Sequence, residues 1–203
     1  MKYQIILASG SPRRRQILES LSIPFEIMVS DADEYLDLEN SPYEWVSTLS
    51  KRKAYAVLPK VKAPAIILGV DTVVADLGRT LVKPENEESA MRMLRQLQGR
   101  RHSVYTGVTI LIVEEDGSVT EDIIVDATEV TFNPMTMDEI CAYLKTGEYS
   151  DKAGGYGIQG IASLFVDSIS GNYNTVVGLP IHLVYETLKN HGISLLDYIQ
   201  INK

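Results

Sequence analysis

The run Ala65-Ile66-Ile67-Leu68-Gly69-Val70-Asp71-Thr72-Val73-Val74 constrains the fold more than any other stretch of this 203-residue chain. A near-continuous apolar segment without alternation reads as a central strand covered on both faces. Helices must then lie on either side of a sheet. Asp71 interrupts the run. An ionised carboxylate cannot sit unpaired in a core, so it requires a partner, a metal or an opening onto a cleft. Beyond it, Asp76-Leu77-Gly78-Arg79 makes a turn, and Thr80-Leu81-Val82 returns the chain to Lys83-Pro84. Such a hairpin puts Asp71 and Lys83 near one end of the sheet.

The second informative stretch is Ile5-Ile6-Leu7-Ala8-Ser9-Gly10-Ser11-Pro12-Arg13-Arg14-Arg15. It reads as a buried strand, a tight turn, and a helix capped by Ser11 with Pro12 in its first position. Three arginines in a first helical turn oppose the helix dipole unless an anion offsets them. The backbone N–H groups at that end and the planar guanidinium forks suit an oligophosphate. The plainer reading is a solvated helix face.

The remaining elements follow from periodicity and caps. The first helix is expected over about 12–21, a strand over 23–29, and an acidic loop with Asp31, Asp33, Glu34, Asp37 and Glu39. Ser41-Pro42 opens a helix reaching Leu58 that carries Lys53, and Asn86 caps another that ends at Gly99. Strands over 102–113 and 118–132 form an antiparallel hairpin. Thr136 with Glu139 is a capping box for a helix through Lys145. Asp151 to Gly160 is a glycine-rich loop that lacks the context of a dinucleotide site or a P-loop. A strand over 161–169, a turn at Ser170-Gly171-Asn172, a helix over 179–190 and a short apolar helix over 195–201 complete the chain. Strands and helices interleave with recurrent hairpins, which implies an α/β protein with a mixed sheet and one domain spanning 1–203.

Composition narrows the function classes. Nineteen Lys and Arg against 27 Asp and Glu leave a net charge of −8, a poor basis for sequence-independent nucleic-acid binding. The positive charges instead cluster at Arg13-Arg14-Arg15 and Lys51-Arg52-Lys53, as expected of a cleft for a small phosphorylated ligand. Cys141 is the one cysteine, so no internal disulfide can form and a reducing compartment is expected. No segment approaches the roughly 20 apolar residues of a membrane span, and the N-terminal run is too short for a signal peptide. The cytoplasm is the expected location. His102, His182 and His191 lack ligand spacing and are expected to pack or face solvent.

Arginines at a helix start, lysines at 53 and 83, and carboxylates at 34 and 71 are the parts that phosphoanhydride hydrolysis needs. Taken with Leu7-Ala8-Ser9-Gly10-Ser11-Pro12-Arg13-Arg14, Val70-Asp71-Thr72-Val73-Val74 and Lys83-Pro84, the chain closely resembles the Maf family of nucleoside triphosphate pyrophosphatases. His102 to Val108, Gly147-Glu148, Asp151 to Gly160 and Val176-Val177-Gly178-Leu179-Pro180 extend the match over nearly the whole length. The resemblance implies cleavage between the α and β phosphates, giving the monophosphate and pyrophosphate. It also implies an inosine-triphosphatase-like fold, an elongated mixed sheet flanked by helices with a cleft between two lobes.

By the same resemblance Asp71 is the general base, and Arg13, Arg14 and Lys83 hold phosphate oxygens, with Ser9 adding a hydroxyl or N–H. Glu34 and Lys53 match positions near phosphates and metal. Glu34 and Asp71 would hold a divalent cation, magnesium by preference and manganese as the alternative. Arg13, Thr72 and Gln159 resemble the branch acting on dTTP and UTP, and a neutral amide at Gln159 can both donate to and accept from a pyrimidine edge. Gly155 replaces an alanine common in the family's loop. A homodimer interface and core packing explain the late apolar helices equally well. The competing function is a nucleotide-binding regulator of septum formation that needs no turnover.

Overall fold

The computed structural model describes residues 2–36 and 41–200. Asp37 and Glu39 of the acidic loop, and Ile201, lie outside the described residues; the short helix expected over 195–201 is a 3-10 turn over Leu195–Tyr198. The strands are β1 (Gln4–Leu7), β2 (Glu26–Ile27), β3 (Ala65–Asp76), β4 (Arg79–Leu81), β5 (Arg101–Val113), β6 (Val119–Phe132) and β7 (Val166–Ser170). All belong to one mixed sheet of order β2-β1-β3-β5-β6-β7, with β4 also on β3. The helices are α1 (Pro12–Ser20), α2 (Pro42–Val57), α3 (Glu87–Leu97), α4 (Met137–Leu144), α5 (Tyr173–Val177) and α6 (Ile181–Asn190).

β3 is buried on both faces, as its apolar run requires. Its even-numbered residues Ile66, Leu68 and Val70 join Ile17, Leu18, Val177, Leu179, Val184 and Leu188 of the α1, α5 and α6 side. Odd-numbered Ile67 packs with Ala54 and Val57 of α2, and Val73 with Trp45, Val46 and Leu49. The alternation is the two-residue period of a pleated strand. A further cluster under α3 and α4 holds Val74, Val104, Phe132 and Tyr156.

The two long edges of β3 are used differently. One is paired antiparallel to β5 from Ala65↔Val113 to Ala75↔Ser103. The other carries β1 in parallel from Gln4↔Ala65 to Leu7↔Leu68, and β4 antiparallel from Val74↔Leu81 to Asp76↔Arg79. β1 and β4 diverge, so Gly69 to Val73 have no strand partner on that edge. The sheet is open there, in the middle of its most buried strand.

Two glycines seat α2 against the sheet. A Cβ at Gly69 would stand 2.2 Å from the Ser50 carbonyl oxygen and 2.6 Å from the Ala54 nitrogen. One at Gly107 would stand 2.6 Å from the Val46 carbonyl oxygen. Gly107 lies opposite Asp71 on the neighbouring strand. The helix backbone therefore touches the sheet beside Asp71, close enough for a side chain of α2 to reach that carboxylate.

Several local expectations change. The strand expected over 23–29 contracts to Glu26–Ile27, because β2 finds only Ile6 and Leu7 to pair with. Residues Ile161–Phe165 form a 3-10 turn and only then enter β7. α5 lies where only a turn and the approach to the next helix were expected, and Asn172 caps it. Ser11 occupies the N-cap of α1, but its side chain caps nothing. Its own N–H instead donates to Ser9 Oγ at 3.3 Å. The caps at Asn86 and Thr136 are as expected.

Gly107→Ala should force α2 off the sheet and destabilise the fold by about 3 kcal/mol, the upper end of overpacking costs. The expected readout is a lower urea midpoint with an unchanged slope; an unchanged midpoint would show that the close approach is not required.

Candidate active site

A cleft of about 330 Å3 opens at the gap between β1 and β4. It is lined by every residue to which the family resemblance gave a site role: Ser9, Arg13 and Arg14 from the β1–α1 turn and helix start, Glu34 from the acidic loop, and Lys53 from α2. Asp71 and Thr72 come from β3, Lys83 from beyond β4, and Gln159 from the glycine-rich loop. Asp71 and Thr72 point to opposite faces of the sheet. Both reach the cleft because the strand edge is open.

Asp71 Oδ1 accepts from Lys53 Nζ at 2.6 Å, and both side chains are almost entirely buried. The same ammonium reaches Glu34 Oε1 at 2.9 Å. Among the described residues no protein donor takes the second oxygen of Asp71, and it is not sealed from the cleft. Burial raises the pKa of Asp71 above its ordinary value, and the charges of Lys53 and Arg14 only partly offset that. Glu34 behaves oppositely: burial would raise its pKa, but the bond and charge of Lys53, aided by Lys83 and Arg14, hold it low. Asp33, its neighbour, is not part of this site; its carboxylate accepts from the Tyr35 N–H at 2.9 Å.

The basic runs are divided among different tasks. Arg14 is buried, and four of its five N–H groups are taken. Nε donates to the Gly178 carbonyl at 2.9 Å, Nη1 to Ser9 Oγ at 2.8 Å and the Val70 carbonyl at 3.0 Å, and Nη2 to Thr72 Oγ1 at 3.0 Å. It braces α1 against the open edge of β3, with one N–H left for a ligand. Burial brings its pKa down to about 10, which leaves it charged at neutral pH. Arg13 stands at the mouth of the cleft, paired with Asp151 at 2.9 Å. Partial burial would raise the pKa of Asp151, but bonds from Lys152 and Arg13 pull it down to about 2. Arg15 pairs with Glu19 outside the cleft, and Lys51 with Glu121.

Three residues contribute that the sequence reading did not single out. Asp151 holds Arg13, and the acid-base dipeptide Asp151-Lys152 beside the glycines was the available signal. Arg52 Nη1 donates to the carbonyls of Asp33 at 3.1 Å and Tyr35 at 2.8 Å, gripping the loop on both sides of Glu34. Glu148 accepts from the Ile161 and Ala162 N–H groups at 2.7 and 3.3 Å, closing the glycine-rich loop that carries Gln159. Arg52 belongs to the basic cluster at 51–53, but nothing in composition or periodicity shows the backbone contacts that either of these two makes. His102 has the packing role expected of it. It is buried 2.7 Å from the Tyr156 hydroxyl, and burial pushes its pKa down to about 4.

The donor chemistry suits a hard divalent cation. Glu34 and Asp71 offer carboxylate oxygens on one ammonium, and no group of three or more His, Cys, Asp or Glu able to hold a metal occurs among the described residues. Magnesium commonly takes one or two carboxylates and completes its shell with substrate phosphates and water. The residues fit that mode of binding, in which substrate brings part of the coordination.

A family model described as Maf-like protein matches residues 4–191. The chain belongs to the Maf family. It is 43% identical over 194 residues to a dTTP/UTP pyrophosphatase of Lachnoclostridium phytofermentans, covering 96% of this chain and 98% of that one. It is 47% identical over 192 residues to a dTTP/UTP pyrophosphatase of Bacillus cereus strain AH187, covering 95% and 97%. Among solved structures, the Staphylococcus aureus Ham1 protein aligns over 93% of this Maf chain and 99% of its own, with a TM-score of 0.44 and 10% identity. No helix among the described residues is long and apolar enough to cross a membrane.

Removing one partner of a buried ion pair strands the other charge. Lys53→Met should therefore destabilise the protein by about 3 kcal/mol at neutral pH. Loss of the ammonium raises the pKa of Asp71 further, so the deficit should shrink as pH falls and Asp71 protonates. Urea melts at neutral and acidic pH check this; a deficit independent of pH would contradict the pairing.

Proposed function

We propose that this protein hydrolyses dTTP and UTP to the nucleoside monophosphate and pyrophosphate, with Asp71 as the general base. The observation that carries the reading is the Asp71 carboxylate at the open edge of β3, one oxygen held by Lys53 and the other facing a cation-lined cleft. The names of relatives identical at 43–47% over nearly their whole length support the substrate class.

The proposed chemistry follows from the residues. Water enters between the free oxygen of Asp71 and the α-phosphorus. The carboxylate takes a proton as the water oxygen bonds to phosphorus, and the bond to the bridging oxygen breaks with its electrons leaving on pyrophosphate. Lys53 fixes the orientation of Asp71 and offsets part of the cost of ionising it in a buried position. Arg13 and Lys83 stand where their charges stabilise the pyrophosphate group, and the remaining N–H of Arg14 and the α1 N-terminus add donors. Glu34 and Asp71 would hold the divalent cation, which supplies charge neutralisation on the phosphoryl oxygens when bound. Gln159 also lines the cleft, and its amide would read the pyrimidine edge. A regulator that only binds nucleotide has no need of a base buried beside its counter-ion, and nothing in the site favours that alternative.

Pyrophosphate release from a panel of nucleoside triphosphates with magnesium tests the proposal. Asp71→Asn should lower kcat on dTTP by about 100-fold or more, the usual range for a general base. An equally active variant would remove the assigned base.

The base works only when ionised, and burial raises its pKa. The acid limb of kcat/KM should therefore lie above the ordinary carboxylate range, with activity lost as pH falls through it. A limb at or below that range would contradict the assignment.

A further inference from the structure

Behind the cleft, hydroxyl groups form a chain whose direction is fixed at its far end. The Thr175 carbonyl oxygen can only accept, and it receives the Thr106 hydroxyl at 2.7 Å. It is free to do so because the Leu179 N–H goes to Asn174 instead. The Thr175 side chain donates in turn to Asp126, which holds this short helix against β6. Thr106 is completely buried and has one proton to give. Toward Thr72 Oγ1, 3.0 Å away, it can therefore only accept, so Thr72 must donate to it. The reverse arrangement would set lone pairs against each other inside the protein and leave a buried acceptor unmatched. Thr72 and Thr106 face each other across β3 and β5 in register, on the face shared with Arg14.

The consequence lies at Thr72. A hydroxyl has one proton and two lone pairs. The proton goes to Thr106, and one lone pair receives Arg14 Nη2 at 3.0 Å. What remains for a ligand is a single acceptor. A phosphate oxygen at neutral pH is itself an acceptor and gains nothing from it. We infer that Thr106 is a positioning residue that fixes Thr72 as an obligate acceptor, so that this point of the cleft reads a hydrogen-bond donor on the nucleoside. Uracil and thymine carry such a donor in the imide N3–H, whereas cytosine presents a bare N3 acceptor at the same ring position. The other donor common to dTTP and UTP is the sugar 3′-hydroxyl. The inference rests on the substrate class proposed above; to the likeness of Thr72 to the dTTP and UTP branch it adds the hydrogen-bond polarity that Thr106 imposes on that residue.

The test compares kcat/KM for UTP, CTP and 3′-deoxy-UTP in the unmodified protein, Thr106→Val and Thr106→Ser. Valine keeps the shape but removes the acceptor, which frees the Thr72 proton to point into the cleft. The expected result is a UTP:CTP ratio lowered about tenfold, chiefly by a gain on CTP, and restored by serine. If UTP:3′-deoxy-UTP responds in place of UTP:CTP, the donor being read is the sugar hydroxyl, and the acceptor assignment stands. A proportional loss on all three substrates, or serine behaving as valine does, overturns it. Should Thr106→Val fail to fold by circular dichroism, Thr72→Val removes the acceptor itself; if neither the UTP:CTP nor the UTP:3′-deoxy-UTP ratio changes there, the inference is also overturned. Absence of UTP hydrolysis by the unmodified protein would instead defeat the substrate class, a separately visible outcome.

Discussion

A carboxylate on a strand covered by helices on both faces can persist only with a counter-charge, and the Lys53–Asp71 pair meets that demand. Much of the architecture exists to let the pair form. Gly69 and Gly107 bring the α2 backbone onto the sheet, and the capping box at Ser41 fixes where that helix begins. The divergence of β1 and β4 leaves the neighbouring edge open to solvent. Without the gap, the same pair would be an isolated ionic defect in a core; with it, the pair becomes one wall of a cleft.

Arg14 shows the same economy from the other side of the sheet. A buried guanidinium is costly to desolvate, and here two backbone carbonyls and two hydroxyls from three segments of the chain compensate it. These bonds substitute for the strand that is missing at the open edge, tying the start of α1 to Val70 and to the residue after α5. The three arginines that look alike in sequence thus have three fates. One stands at the mouth of the cleft against Asp151, one braces the gap from within, and one lies outside with Glu19. A helix-start charge run is not one motif but several positions on a rotating surface, each facing a different environment.

The parts of the site legible in the sequence were those where a residue type conflicts with its surroundings. Asp71 inside an apolar run and three cations at a positive helix end each required an explanation, and Asp71 and two of the three cations, Arg13 and Arg14, line the cleft. The long β5–β6 hairpin and the capped helices were legible because periodicity and caps are local properties. The failures are equally physical. β2 is short and α5 was missed because their extent depends on which strand or hydroxyl they meet, not on their own composition. Arg52, Glu148 and Thr106 act through backbone carbonyls, backbone amides and another hydroxyl, contacts between residues far apart in the chain. Ser11 looked like a cap because its type and position fit, yet Ser9 receives its N–H.

The opposite orientations of Asp71 and Thr72 have an evolutionary corollary. On the proposed function, Asp71 serves the reaction from the α2 side of β3, while Thr72 serves recognition from the α1 side. Amino-acid exchanges on one face can therefore retune which nucleotide is admitted without disturbing the hydrolytic apparatus on the other. Inserting or deleting a single residue upstream in that strand would exchange the two faces at once, so a change of length here disrupts more than a change of one side chain.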